Sequence, residues 1–266
     1  MSGKSQADYV GVFEKLKAFM EEDGNAWNIK SAMVDYELAL RNALKKVFNG
    51  IKLQGCCVHY CQAIYRKVRN LKLDNIYIHK DHGGKYIKRL MTLALLRYDM
   101  IPLLFDYMKK GLNEDKADMT PDVSSAFDKL FAYVETQWIC NTKIPPSEWS
   151  VFLTNVRTNN EVENWNGKIW KLAGLHSLHL YALMKLLKEQ SDINVQKMSL
   201  TYSDQKKAKQ KKINRDIEQA MKEAQAQSNL PVAAFYKLAH ITVKEVLIYN
   251  VNSYQYTADE LNDEVE

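Results

Sequence analysis

Asp35 is the first residue whose type and place suggest chemistry. It follows a short, mostly apolar stretch, Ser31-Ala32-Met33-Val34, that reads as a strand. Ligands of α/β sheets bind beyond the carboxyl ends of the strands. A carboxylate there is a hard oxygen donor suited to a divalent cation. Acidic residues also end strands simply to reach water, so both uses stand open. Glu37, two residues on, is either a supporting ligand or a first-turn charge favoured by the helix dipole. A second group is Cys56, Cys57, His59 and Cys61. Structural zinc takes four ligands, usually as two separated pairs. Here the ligands form one tight cluster, and Cys57, His59 and Cys61 share a face only if a strand continues through them. The alternative is a buried strand end with a hydrogen-bonded histidine.

The elements that must position these residues lie between Ile29 and Arg66, in the order strand, helix, strand, helix. After Asp35 the spacing turns helical, with Ala39, Leu40, Ala43, Leu44 and Val47 on one face. Ile51-Lys52-Leu53-Gln54 alternates like a half-buried strand. Gly55-Cys56-Cys57-Val58-His59 follows, and a second helix is expected to open at Ala63.

Met33-Val34-Asp35-Tyr36-Glu37, the Ala-rich helix ending in Val47-Phe48, and Gly55-Cys56-Cys57-Val58-His59-Tyr60-Cys61-Gln62-Ala63-Ile64-Tyr65-Arg66 together resemble the core of Mutator-like element (MULE) transposases. That family reads D-x-E, then G-C-x-x-H, then Q-a-hydrophobic-aromatic-R. Much later it reads T-N-N-x-x-E with an aromatic residue soon after, and Thr158-Asn159-Asn160-Glu161-Val162-Glu163-Asn164-Trp165 is similar. The resemblance covers about residues 4–190 and implies an RNase H-like fold that cuts and joins DNA with three carboxylates. It places Asp35 as the second acidic residue and Glu163 as the third. The family spacing selects Glu163 over Glu161. Cys56 and His59 match the C-x-x-H. Mg²⁺ or Mn²⁺ is the implied cofactor and DNA the implied partner, in the nucleus.

The family's first acidic residue lies on its first strand, upstream of D-x-E. Met1-Ser2-Gly3-Lys4-Ser5-Gln6-Ala7-Asp8-Tyr9 resembles the stretch after the third strand instead. Asp8 is no substitute, because it precedes the apolar helical face Tyr9, Val12, Phe13, Leu16, Phe19 and Met20 and so reads as a helix start. The expected fold class is therefore α/β with a large helical part. It is an incomplete RNase H-like fold lacking its first three strands, with an all-helical insertion and a helical C-terminal region. Such a chain is expected to be inactive alone. A homo-oligomer, or another chain supplying the missing strands, would complete it. The alternative function is a co-opted, non-enzymatic DNA- or chromatin-binding protein.

Composition sets wider bounds. The chain has 266 residues, 46% hydrophobic and 26% charged, which is ordinary for a globular protein. No apolar run approaches a membrane span, and no signal peptide opens the chain. Four cysteines, three of them bunched, suit a reducing compartment better than a disulfide framework. A net charge of +5 is compatible with nucleic acid without requiring it. Basic runs stand at Arg66-Lys67-Val68-Arg69 and at Lys206-Lys207-Ala208-Lys209-Gln210-Lys211-Lys212. The second run reads as phosphate contacts, a nuclear signal, or a solvated helix face.

The expected organisation is a partial α/β core over residues 1–72, a helical insertion over 73–155, and helices carrying Glu163 over 156–190. A helical extension over 191–255 and an acidic, disordered tail over 256–266 follow. Within the insertion, Ile87, Leu90, Met91, Ala94 and Leu95 share one face, and Ile101, Leu104, Phe105 and Met108 another. Phe127, Leu130, Phe131, Val134 and Trp138 make a third, and all three read as core. Leu71 to Gly84 reads as irregular, and so does Glu148-Trp149-Ser150-Val151-Phe152. The helix carrying Glu163 is expected to start near Thr158 to Asn160. Leu180, Leu183, Met184 and Leu187 give the next helix. Asp204 to Gln227 reads as a long polar helix and Ala234 to Val246 as a last one.

Overall fold

The computed structural model describes residues 3–22, 29–78, 83–154, 156–174, 179–198 and 215–223. The basic run at 206–212, the helix expected over 234–246 and the acidic tail lie outside them. Two compact units divide the chain. The first holds Met1–Arg157 with Arg215–Glu266, and the second holds Thr158–Asn214.

The first unit opens with α1 (Gln6–Glu21). Ser5 and Asp8 form a reciprocal cap at its start, the arrangement that satisfies two orphan amide donors. Asp8 is thereby accounted for as a helix-start residue. The expected apolar face of α1 is only partly used. Tyr9 stacks on Phe13, and Phe13 meets Phe48 edge-on. Val12, Leu16, Phe19 and Met20 stay exposed.

Next come β1 (Ser31–Val34), α2 (Leu38–Val47) and β2 (Lys52–Gly55). The two strands pair in parallel, Ser31 opposite Lys52 and Val34 opposite Gly55. Parallel neighbours need a crossover connection, and α2 supplies it. The main chain of Lys52 donates to Lys30, and that of Cys56 donates to Val34. Alternate residues therefore face β2, and the backbone groups of Ser31 and Met33 point to the opposite edge of β1. Among the described residues no third strand joins the sheet. The chain is thus α/β with a small two-stranded parallel sheet and a large helical part. Leu44, Phe48, Ile51 and Leu53 form the core under the sheet, with Phe13, Ala32 and Val34 against it.

A helix, α3 (Cys57–Asn70), begins directly after β2. It opens six residues earlier than the spacing predicts. Gly55 has no room for a side chain, because an added Cβ would stand 2.5 Å from Cε1 of Tyr36. The close fit lets the Tyr36 hydroxyl donate to the Cys56 carbonyl at 3.1 Å.

The helical part contains α4 (Asp74–Ile78), α5 (Gly84–Thr92), α6 (Ile101–Asp115), α7 (Pro121–Val134) and α8 (Pro146–Trp149). A π-helical turn, Glu135–Ile139, continues α7. Two stretches expected to be irregular hold short helices, α4 and α8. The three expected stripes are buried throughout, and the Thr120 side chain caps α7.

One short segment ties the helical part to the sheet. The indole of Trp149 donates to the carbonyl of Trp138 at 3.2 Å. Gln54, on β2, donates to the carbonyl of Ser150 at 2.6 Å. The Ser150 hydroxyl donates to Leu96, and the Val151 amide donates to Ala94. Trp149 stacks on Tyr60 with ring centres 4.8 Å apart, and Trp138 meets both Tyr36 and Tyr60 edge-on. A described helix over residues 215–223 adds buried Ile217, Ala220 and Met221 to this unit.

The second unit consists of α9 (Asn160–Ala173) and α10 (Leu180–Met198). Gly174 ends α9 in a left-handed conformation, φ 66°, as a glycine C-cap does. Its core is thin. Ile169 and Gln190 are buried, while Trp165, Trp170, Leu180, Tyr181 and Met184 are exposed. Lys168 donates to Gln190 at 2.5 Å. Among the described residues no helix is long and apolar enough to cross a membrane.

Candidate functional site

Asp35 stands where β1 gives way to α2, just beyond the strand's carboxyl end. Its side chain is about half exposed. Oδ1 of Asp35 lies 3.0 Å from Nδ1 of His59. His59 sits on the first turn of α3, which the parallel pairing of β1 and β2 sets beside the end of β1. The contact therefore joins two motifs separated by a whole crossover helix. Polar groups at adjacent strand ends can act on one ligand. A carboxylate beside an imidazole can also hold that ring in one tautomer.

The cysteines take a different place. Cys56 is the N-cap of α3, and its side chain does not cap the helix. Cys57 and Cys61 are four residues apart on a helix, hence on one face. Both are buried, as is Cys56. A hydrogen bond from Cys61 is the main influence lowering the pKa of Cys57, with the Arg157 guanidinium helping and burial opposing. That same bond, with burial, raises Cys61 well above the ordinary thiol range. The expectation of a strand end here is corrected: the cluster lies on a helix, with His59 paired to Asp35. Among the described residues no three of His, Cys, Asp and Glu gather as a metal-ligand group.

Glu37 is the N-cap of α2. Its Oε2 accepts from the Tyr9 hydroxyl at 3.1 Å, which ties α1 to the start of α2. Arg157 lends its carbonyl to the Cys57 amide at 3.0 Å, so one orphan donor of α3 is satisfied from 100 residues downstream. Burial lowers the pKa of the Arg157 guanidinium, and Cys57 and Glu218 oppose that effect.

Glu163 lies in the second unit, in the second turn of α9 and half-buried. Asn159 is the N-cap of α9, without a side-chain cap bond, and its carbonyl accepts from the Glu163 amide at 3.1 Å. Glu161 is on the same helix.

Sequence reasoning missed Arg41, Glu148 and Tyr36. The half-buried Tyr36 packs its ring against Gly55 and Trp138, and desolvation pushes its hydroxyl well above the usual range. Arg41 is buried on α2 and bonds Glu148, to which Lys45 also donates. Burial alone would raise the pKa of Glu148. The hydrogen bonds from Lys45 and Arg41 outweigh it and hold the carboxyl below its ordinary value of about 4.5. A depressed folded pKa gives stability that is present above the unfolded value and lost as pH falls through the folded one. Stability measured by urea titration should therefore decline in acid, below about pH 4.5, and the Glu148→Gln variant should decline less steeply. An equal slope in both proteins would remove Glu148 from the account.

The chain matches no family model, no curated protein and no solved structure.

Proposed function

We propose that this chain derives from a MULE-type transposase with an RNase H-like domain, and that residues 1–266 do not catalyse DNA strand transfer by themselves. The observation that carries the reading is the Asp35–His59 contact at 3.0 Å. It joins the acidic position of D-x-E to the histidine of G-C-x-x-H across a parallel β–α–β crossover. Among the described residues no strand pairs with the outer edge of β1, which suits the same reading, since in an RNase H-like sheet the strand carrying the first acidic residue pairs there. Glu163 is assigned as the third acidic residue by its T-N-N-x-x-E setting.

In the complete family two Mg²⁺ or Mn²⁺ ions would activate the attacking oxygen and neutralise the phosphate. That chemistry needs three carboxylates. Residues 1–266 supply two in motif context. Among the described residues no three-ligand set gathers. What these residues do themselves is narrower. His59 orients the Asp35 carboxylate, and α3 fixes His59.

The test is purified chain with Mg²⁺ or Mn²⁺ and terminal-repeat DNA. No nicking is expected. Nicking that disappears in Asp35→Ala would overturn the inactivity and make the chain a working nuclease. A second reading, a co-opted DNA- or chromatin-binding protein, draws on Arg66, Lys67 and Arg69 toward the end of α3. Salt-dependent DNA binding that ignores metal would favour it.

A further inference from the structure

The turn that carries Asp35 is held from behind. Arg41 is 1% exposed. Its Nη1 donates to the backbone carbonyl of Asp35 at 3.2 Å, and its Nη2 donates to Oε2 of Glu148 at 2.5 Å. The guanidinium lies 5.9 Å from the centre of the Tyr36 ring. Oε1 of Glu148 accepts from Lys45 at 2.6 Å. Glu148 is itself anchored, because its neighbour Trp149 is buried and bonded to Trp138, and Ser150 is bonded to Gln54 and Leu96.

A buried ion pair is weak evidence for stability, since a well-packed apolar pair often does as well. An apolar residue at position 41 would fill the space. It could not hold the Asp35 carbonyl, and so could not fix the backbone from which the carboxylate projects toward His59. Arginine suits the task because its planar fork presents several donors in fixed directions.

We infer that Arg41 and Glu148 are positioning residues for the Asp35–His59 pair, so that helix α8 sets the geometry of a strand end more than 100 residues earlier in the chain. The inference takes its functional meaning from the proposed role of Asp35, but its test involves no DNA.

The test is the ¹H–¹⁵N spectrum of the His59 imidazole in the full chain at one pH, with the signal assigned by its loss in His59→Gln. Asp35→Asn defines the shift when the pair is broken. Glu148→Gln keeps shape and hydrogen-bonding groups, and Arg41→Lys keeps charge, so both should remain folded by circular dichroism. Each should move the His59 signals toward the Asp35→Asn position. Lys45→Met should leave them in place, because Lys45 touches Glu148 from the exposed side. Unmoved His59 signals in folded Glu148→Gln and Arg41→Lys would overturn the inference, as would an equal shift in Lys45→Met. Nicking in the DNA assay would overturn the proposed inactivity with the His59 response intact. A wrong positioning role would leave that assay as it was.

Discussion

Trp149→Ala lowers the stability of the first unit by about 3–5 kcal/mol, the cost of removing a fully buried aromatic from a packed core. Trp149 has 0% exposure. Its ring stacks on Tyr60 and meets Trp138 at a steep angle with centres 6.0 Å apart. The truncation also strands the Trp138 carbonyl that its indole serves, and a buried acceptor left unsatisfied adds to the loss. Urea denaturation followed by circular dichroism measures it. Trp170→Ala is the control. That residue is 55% exposed, and its loss should change stability by only about 0.5 kcal/mol. A Trp149→Ala loss under about 1 kcal/mol would mean that segment 148–151 is not the tie described.

Arg41→Met should be nearly as damaging, at about 3 kcal/mol, because it leaves a largely buried carboxylate short of its partner. Glu148 keeps Lys45, which places the effect at the lower end. The Asp35 carbonyl also loses its donor. The sign of the coupling is the sharper test. Arg41→Met with Glu148→Leu removes both charges, and Lys45, already exposed, loses little. The double variant should therefore be more stable than the sum of the two single losses requires. Strict additivity across the cycle would show that the two side chains do not act on each other.

Much of the fold is legible in periodicity. The strand–helix–strand run from Ile29 and the three stripes of the helical part follow from local spacing. The failures have distinct causes. Helix α3 starts at Cys57 because its first amide finds the carbonyl of Arg157, a partner no local pattern reveals. Glu148-Trp149 reads as irregular, yet it closes α8, which Pro146 opens, since proline's fixed φ suits a first helical position. Leu16 and Phe19 mark an apolar face, but periodicity says only which face is apolar and not what covers it. Of the candidate site, motif order pointed to Asp35 and His59, and the contact between them needed coordinates. Arg41 was invisible because a lone arginine on an amphipathic helix looks solvated. Its partner Glu148 is 107 positions away.

The four tryptophans among the described residues have an optical consequence. Trp138 and Trp149 are screened from water in the first unit, while Trp165 and Trp170 are wetted in the second. Shielded indoles emit toward the blue and hydrated ones toward the red. On denaturation, the blue component should fade with the first unit while the red one barely changes colour. A single fluorescence spectrum then reports on the first unit without any added label.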